Sequence, residues 1–131
     1  MSLDAYKKSL KTTETPRAME RRVLTQITSR LDAHQAEYDA AAEGPSRLGI
    51  LAGPLRSAVH DNVRLWLGFK ADLLTPGNAL PAETRAGLLS LAGFVERQSG
   101  QIMNGRGTIE SLIAVNKPII AALQGHTVEA A

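Results

Sequence analysis

The feature that most constrains the fold is a series of apolar stripes with helical spacing, separated by breaks that contain proline and glycine. The most apolar stripe lies between Pro54 and Pro76. Its members are Leu55, Val59, Val63, Trp66, Phe69 and Leu73, and Leu65 and Leu67 widen it. Residues three or four positions apart share one face of an α-helix. The pattern predicts a helix from about residue 54, at the centre of the core.

A second predicted helix precedes this stripe. Thr15 suits the N-cap position and Pro16 suits the first helical turn. The apolar side chains that follow at helical spacing are Val23, Leu24, Ile27, Leu31 and Tyr38. The break at Glu43-Gly44-Pro45 is expected to end this helix.

Two further helices are predicted in the second half of the chain. Pro81 suits the first turn of one, which runs to the break that begins at Asn104. Thr108 can cap the other, and Gly125 is expected to end it. Pro118 lies inside that last pattern and is expected to kink or split the helix.

Two connections matter for how these helices meet. Between the first two helices, Ser46 suits a capping position, and the glycines that follow it predict irregular structure up to residue 53. After the central stripe, Thr75-Pro76-Gly77 is typical of a turn. The next residues, Asn-Ala-Leu-Pro at 78–81, are expected to fix the joint, with Leu80 closing the end of the core.

Composition supports an all-α fold. Only 4% of the residues are aromatic, and alanine and leucine dominate the 44% that are hydrophobic. We predict a small antiparallel helical bundle of about four helices with a flexible N-terminal arm. The arm is placed at residues 1–14, a single helical domain at residues 15–125 and a frayed tail at residues 126–131.

Charge and cysteine content narrow the function classes. The net charge of +2 gives no strong argument for nucleic acid or membrane as a partner. The absence of cysteine excludes disulfides, thiolate chemistry and cysteine-ligated metals. No run approaches the roughly 20 apolar residues of a spanning helix, and the N-terminal lysines lack the apolar core of a secretory signal. We therefore expect a cytoplasmic protein.

No constellation of catalytic residues is visible. Ser57, His60 and Asp61 fall within one helical turn, but neighbours on one regular helix rarely form a triad with an oxyanion hole. The three histidines have no metal-ligand spacing. The sequence predicts a binding protein with no catalytic residue, no metal and no cofactor.

Five residues are candidates for contact with a partner. Arg56 and Arg64 could form a basic edge on the central helix. Trp66 and Phe69 suit core packing, and alternatively a groove for a partner helix. Leu80 is included because connecting segments often carry binding residues.

Three sequence motifs support a family resemblance. They are Arg-Leu-Trp at 64–66, Asn-Ala-Leu-Pro at 78–81 and Arg-Ala-Gly-Leu at 85–88, within residues 63–95. This block resembles the core of the flagellar biosynthesis regulator FlaF of alphaproteobacteria. Residues 5–24 and the segment TIESLIAVNKPIIAALQG are also similar to that family, although Pro118 is not expected there.

The resemblance implies a non-enzymatic role in flagellum assembly. It implies that flagellin is the partner, bound in the cytoplasm by a protein that behaves like a secretion chaperone and promotes flagellin synthesis and export. It also implies a second regulator, FlbT, as a further partner. Two alternatives remain open: an RNA-binding regulator of flagellin expression, and an adaptor that binds only other regulators.

Overall fold

The computed structural model describes residues 16–130, with side chains for residue 16 and residues 18–124. Within this part the chain forms five helices and no strand: α1 Pro16–Ala40, α2 Pro45–Leu51, α3 Pro54–Leu74, α4 Ala82–Met103 and α5 Ile109–Ala130. The all-α prediction is confirmed. The predicted N-terminal arm, the capping role of Thr15 and residue 131 lie outside the described residues.

The four long helices of the described chain form the predicted bundle as a ring. α1 packs most extensively on α5, α3 packs on α4, and the ring closes through α1 with α3 and α4 with α5. Short connections make chain neighbours antiparallel. In this ring α3 and α5 lie across a diagonal, so their facing surfaces meet through side chains rather than close backbone packing.

The predicted stripes supply the core. Among the fully buried side chains are Leu24, Leu31, Tyr38, Leu55, Val59, Trp66, Val95, Ile102, Ile109, Leu112 and Ile113. Leu73 and Leu123 are also buried, but they lie outside the main contiguous cluster of core residues. They mark the end of the bundle where the core is thinnest.

The structure differs from four local predictions, and a kink at Pro118 stays a prediction. Residues 45–51 form the short helix α2, and Ser46 does not cap it, because Gly44 is the N-cap and the Ser46 hydroxyl donates back to Ala42 O at 2.6 Å. Pro118 does not split α5, and Gly125 does not end it, since the helix continues to Ala130. Pro118 is exposed, so its ring faces solvent rather than the core.

The predicted cap of α5 is confirmed, and a second cap comes from elsewhere in the chain. Thr108 Oγ1 accepts from Ser111 N at 3.2 Å. The carboxylate of Asp39, at the end of α1, accepts from Ile109 N at 2.8 Å and Glu110 N at 3.1 Å. A carboxylate at the positive end of a helix is electrostatically favourable. This contact ties the start of α5 to α1.

Arg47 of α2 stabilises the same end of the bundle, where α1 ends and α5 begins. Its guanidinium is buried and donates to three carbonyl oxygens, Ala41 O at 3.0 Å, Asp39 O at 3.2 Å and Gly107 O at 2.7 Å. It also lies 4.6 Å from the centroid of the Tyr38 ring. A buried cation needs such partners, and the carbonyls that end α1 supply two of them.

Tyr38 joins α1 to the α4–α5 connection. Its hydroxyl lies 2.9 Å from Ile102 O and 2.8 Å from Arg106 O. Nearby, Gly105 has a positive φ of 77°, and an added Cβ would come within 2.7 Å of the Gly44 carbonyl oxygen. Only glycine permits this close approach of the two connections.

We expect Tyr38→Phe to lower the free energy of unfolding by about 0.5–1.5 kcal/mol, because the hydroxyl donor is lost while Ile102 O keeps its bond from Gly105 N at 2.9 Å. Burial raises the pKa of the Tyr38 hydroxyl, and Arg47 beside it opposes the rise. A raised folded-state pKa stabilises the fold below the unfolded value, and this is lost as pH rises through the folded value. The difference between wild type and Tyr38→Phe should therefore be constant below about pH 10 and shrink above it. Urea unfolding across that range measures it, and a difference that grows with alkalinity would contradict the assignment.

Candidate partner-binding groove

An apolar groove opens between α3 and α5 at the end of the bundle where α1 begins. Its volume is about 540 Å³. The lining residues are Glu20, Leu65, Trp66, Gly68, Phe69, Asp72, Leu73, Leu80, Leu88, Ile119, Ala122 and Leu123. We call this feature the α3–α5 groove.

The diagonal position of α3 and α5 explains why a groove forms there. Helices that are not ring neighbours leave a gap that side chains must fill. Gly68 contributes no side chain to the wall, and an added Cβ there would meet no atom within 4 Å. Glycine inside a helix is unfavourable by about 0.5–1 kcal/mol relative to alanine. Gly68 therefore keeps the space beside the gap open but lowers the stability of the helix.

Trp66 and Phe69 form one wall of the groove. Trp66 is only 1% exposed, yet it lines the groove, and it therefore belongs to both the core and the site. Phe69 is half-buried one turn later. The two ring centroids are 5.5 Å apart with an interplanar angle of 82°, an edge-to-face arrangement that aromatic pairs favour. Core packing of Trp66 is thereby observed, and its contact with a partner helix stays a prediction.

A buried polar cluster holds Trp66 in place. Its Nε1 donates to Asn116 Oδ1 at 2.9 Å, across the diagonal from α3 to α5. Asn116 Nδ2 in turn donates to Thr28 Oγ1 at 3.1 Å and Asn62 Oδ1 at 2.8 Å. Because indole is a donor only, it fixes which way the Asn116 amide points. The cluster therefore links α1, α3 and α5 directly beside the groove.

The Asn-Ala-Leu-Pro segment positions Leu80 at the groove. Asn78 Nδ2 donates to Asp72 O at 3.1 Å, and the Leu80 N–H donates to Asn78 Oδ1 at 3.0 Å. An asparagine that bonds two residues ahead forms a compact Asx turn. Leu80 is half-buried and lines the groove instead of closing the core completely.

The structure brings together three of the five candidate contact residues, Trp66, Phe69 and Leu80. Arg56 is not among the lining residues and lies ten positions before Trp66, about 15 Å along α3. Arg64 lines a second, shallower groove between α1 and α3. The charged residues that line the α3–α5 groove within the described chain are both acidic, Glu20 and Asp72.

Few of the remaining lining residues are predictable from the sequence. Ile119 and Leu123 follow helical spacing in the last apolar pattern, and Leu88 does so in the preceding one. The one local signal for Gly68 is that glycine is unfavourable inside a helix. Glu20 and Asp72 look like ordinary surface carboxylates, and only the packing of α1 and α3 places them at one rim.

Two of the three residues considered for catalysis, Ser57 and Asp61, bind the same arginine. Arg30 Nη1 donates to Asp61 Oδ2 at 2.9 Å, and Arg30 Nη2 donates to Ser57 Oγ at 3.2 Å. Arg30 therefore binds Ser57 and Asp61, and the third residue of the considered triad, His60, is exposed. Among the described residues there is also no group of three or more His, Asp or Glu side chains placed to hold a metal ion.

Comparison with known proteins decides the family. A family model described as flagellar protein FlaF matches residues 2–123. The chain belongs to the FlaF family. The matched range contains every residue that lines the α3–α5 groove. No curated protein and no solved structure gives a significant match. The motif resemblance is thereby confirmed, and it connects the chain to the flagellum.

Within residues 16–130, none of the helices combines the length and the apolar character that crossing a bilayer requires. α3 and α5 are long enough in residues, but polar side chains interrupt both.

We expect Asn116→Leu to lower the free energy of unfolding by about 2–4 kcal/mol, because it leaves the Trp66 N–H and the Asn62 carbonyl oxygen buried without partners. Thr28→Val is the matched control. It removes one hydroxyl from the same cluster and should lower the free energy of unfolding by about 1 kcal/mol. Denaturation followed by circular dichroism measures both. Equal effects of the two substitutions would contradict a central role for Asn116.

Proposed function

We propose that the protein binds an amphipathic terminal segment of flagellin in the cytoplasm and acts without catalysis as a secretion chaperone that promotes flagellin synthesis and export. Membership of the FlaF family supports a flagellar role. The observation that carries the finer proposal is the α3–α5 groove, whose lining is dominated by Trp66, Phe69, leucines and Ile119.

The size and lining of the groove suit a few side chains of a helix. Its volume of about 540 Å³ lies in the range of small-ligand sites, about 300–1,000 Å³. Recognition of an amphipathic helix uses apolar anchors at spacings of three, four and seven residues. A groove of this size accepts two or three such anchors and leaves the polar face of the client in solvent.

The expected energetics favour capture with release. Each buried anchor contributes about 1.5–3 kcal/mol. Ordering a disordered segment costs about 2–5 kcal/mol or more. The balance gives moderate affinity, which suits a client that must be protected from premature assembly and then handed on. FlbT is a proposed further partner, and a complex with FlbT but none with flagellin would favour the adaptor alternative.

The test exploits a glycine that faces open space. Gly68→Leu should fill the groove and weaken binding of monomeric flagellin at least tenfold, measured by isothermal titration calorimetry. The fold should be retained, because replacing a helical glycine with leucine adds about 0.5–1 kcal/mol of helix preference. Gly100→Leu is the matched control, since Gly100 is an exposed helical glycine with no atom within 4 Å of a built Cβ and is not among the groove-lining residues.

The wild-type titration has its own expected signature. Burial of apolar surface should give a negative heat-capacity change. Binding should depend only weakly on salt. Equal affinity of the Gly68→Leu and Gly100→Leu proteins would place the client elsewhere, and an absence of saturable binding would contradict the chaperone proposal.

One observation favours the RNA-binding alternative. Arg56, His60 and Arg64 are exposed at four-residue steps on α3, with no hydrogen bond or ion pair among the described residues. Replacing both arginines with glutamine should then abolish binding of a flagellin messenger leader, and that binding should weaken steeply with salt. The scarcity of aromatic stacking residues and the presence of Asp61 on the same helix argue for the groove instead.

A further inference from the structure

The rim of the α3–α5 groove carries negative charge. Its charged lining residues in the described chain are Glu20 on α1 and Asp72 near the end of α3, and Asp72 is exposed. The rest of the lining is apolar or glycine. An occupant with an apolar stripe beside basic side chains would complement both features.

The chain itself contains a segment of this chemistry, outside the described residues. Leu3, Tyr6 and Leu10 recur at intervals of three and four residues. Three lysines, Lys7, Lys8 and Lys11, accompany this stripe, against one acid, Asp4. The family match begins at residue 2 and therefore includes this segment.

The segment is attached beside the groove. α1 begins at Pro16, and Glu20 lines the groove four residues later, about 6 Å along the helix axis. The six residues from Leu10 to Pro16 can span up to about 20 Å when extended.

We propose that residues 3–11 occupy the α3–α5 groove of the free protein, with Leu3, Tyr6 and Leu10 as anchors, and that a client must displace them. A short tether gives an effective concentration on the order of millimolar, so weak individual contacts suffice for occupancy. Occupancy by the segment needs no client. Only the displacement step rests on the proposed function.

Cysteine cross-linking of the full chain tests the occupancy, and the absence of native cysteine leaves only the engineered pair to react. The test pair is Ser9→Cys with Ala122→Cys, an exposed position that lines the groove. The control pair is Ser9→Cys with Thr25→Cys, an exposed position outside it, about 14 Å along α1 from Pro16. Ser9 can reach both positions, since its seven-residue connection to Pro16 spans up to about 23 Å.

The intramolecular disulfide of the test pair should form at least tenfold faster than that of the control pair. Replacing Leu3, Tyr6 and Leu10 with serine should reduce the test rate to the control rate. Equal rates for the two pairs would overturn the proposal. A disulfide between two molecules would also overturn it, in favour of a second copy as the occupant.

Displacement is tested by titrating monomeric flagellin into the full chain. The variant with serine at positions 3, 6 and 10 should bind about tenfold more tightly than wild type, because its segment no longer competes. A variant with Ser2→Ala, Thr12→Ser and Thr13→Ser changes only positions outside residues 3–11 and should bind like wild type. Unchanged affinity in the first variant would overturn displacement. Absence of flagellin binding by every protein would overturn the proposed function and leave the cross-linking result standing.

Discussion

The hydrogen bond from Trp66 to Asn116 is the contact on which the rest of the bundle depends. It joins α3 and α5, which lie opposite each other in the ring of helices. Asn116 accepts this bond through Oδ1, and its Nδ2 donates to Thr28 and Asn62. Buried polar groups are stable only when paired, so this cluster admits few alternative registers of α3 against α5. The apolar core alone would tolerate sliding by a turn far better. A defined groove wall follows from that fixed register.

The two ends of the bundle differ in how their connections are held. At one end Tyr38, Asp39 and Arg47 bind backbone groups of the α4–α5 connection, and Gly105 allows that connection to approach Gly44 closely. At the other end Asn78 bonds only within its own connection, between the end of α3 and Leu80. The core is therefore sealed by polar contacts at the first end and left with an apolar opening at the second. This asymmetry separates an end of the bundle that is closed by polar contacts from an end that exposes an apolar groove.

The sequence was sufficient for features that depend on local chemistry. The apolar stripes predict the four long helices, and Thr108 predicts the start of α5. Trp66, Phe69 and Leu80 are predicted contact residues, and they line one groove. Features that depend on residues distant in the chain were not predictable in this way. Asp39 caps a helix some seventy residues later. Arg47 donates to carbonyls from two segments, the end of α1 and the α4–α5 connection. Glu20 and Asp72 line the same groove. Gly125 failed as a stop signal because a glycine ends a helix only where the following chain turns away.

Pro118 has a consequence for the local stability of the groove wall. Because proline has no N–H, the Ala114 carbonyl lacks its usual partner within α5. This missing bond lies between Asn116, which is held by the polar cluster, and Ile119, Ala122 and Leu123, which line the groove. The helix is thus weakest at the boundary between its anchored half and the half that forms the groove wall. Local fraying of this half of α5 can then occur without unfolding the bundle, so the mobility of the groove wall is separate from the global stability of the fold.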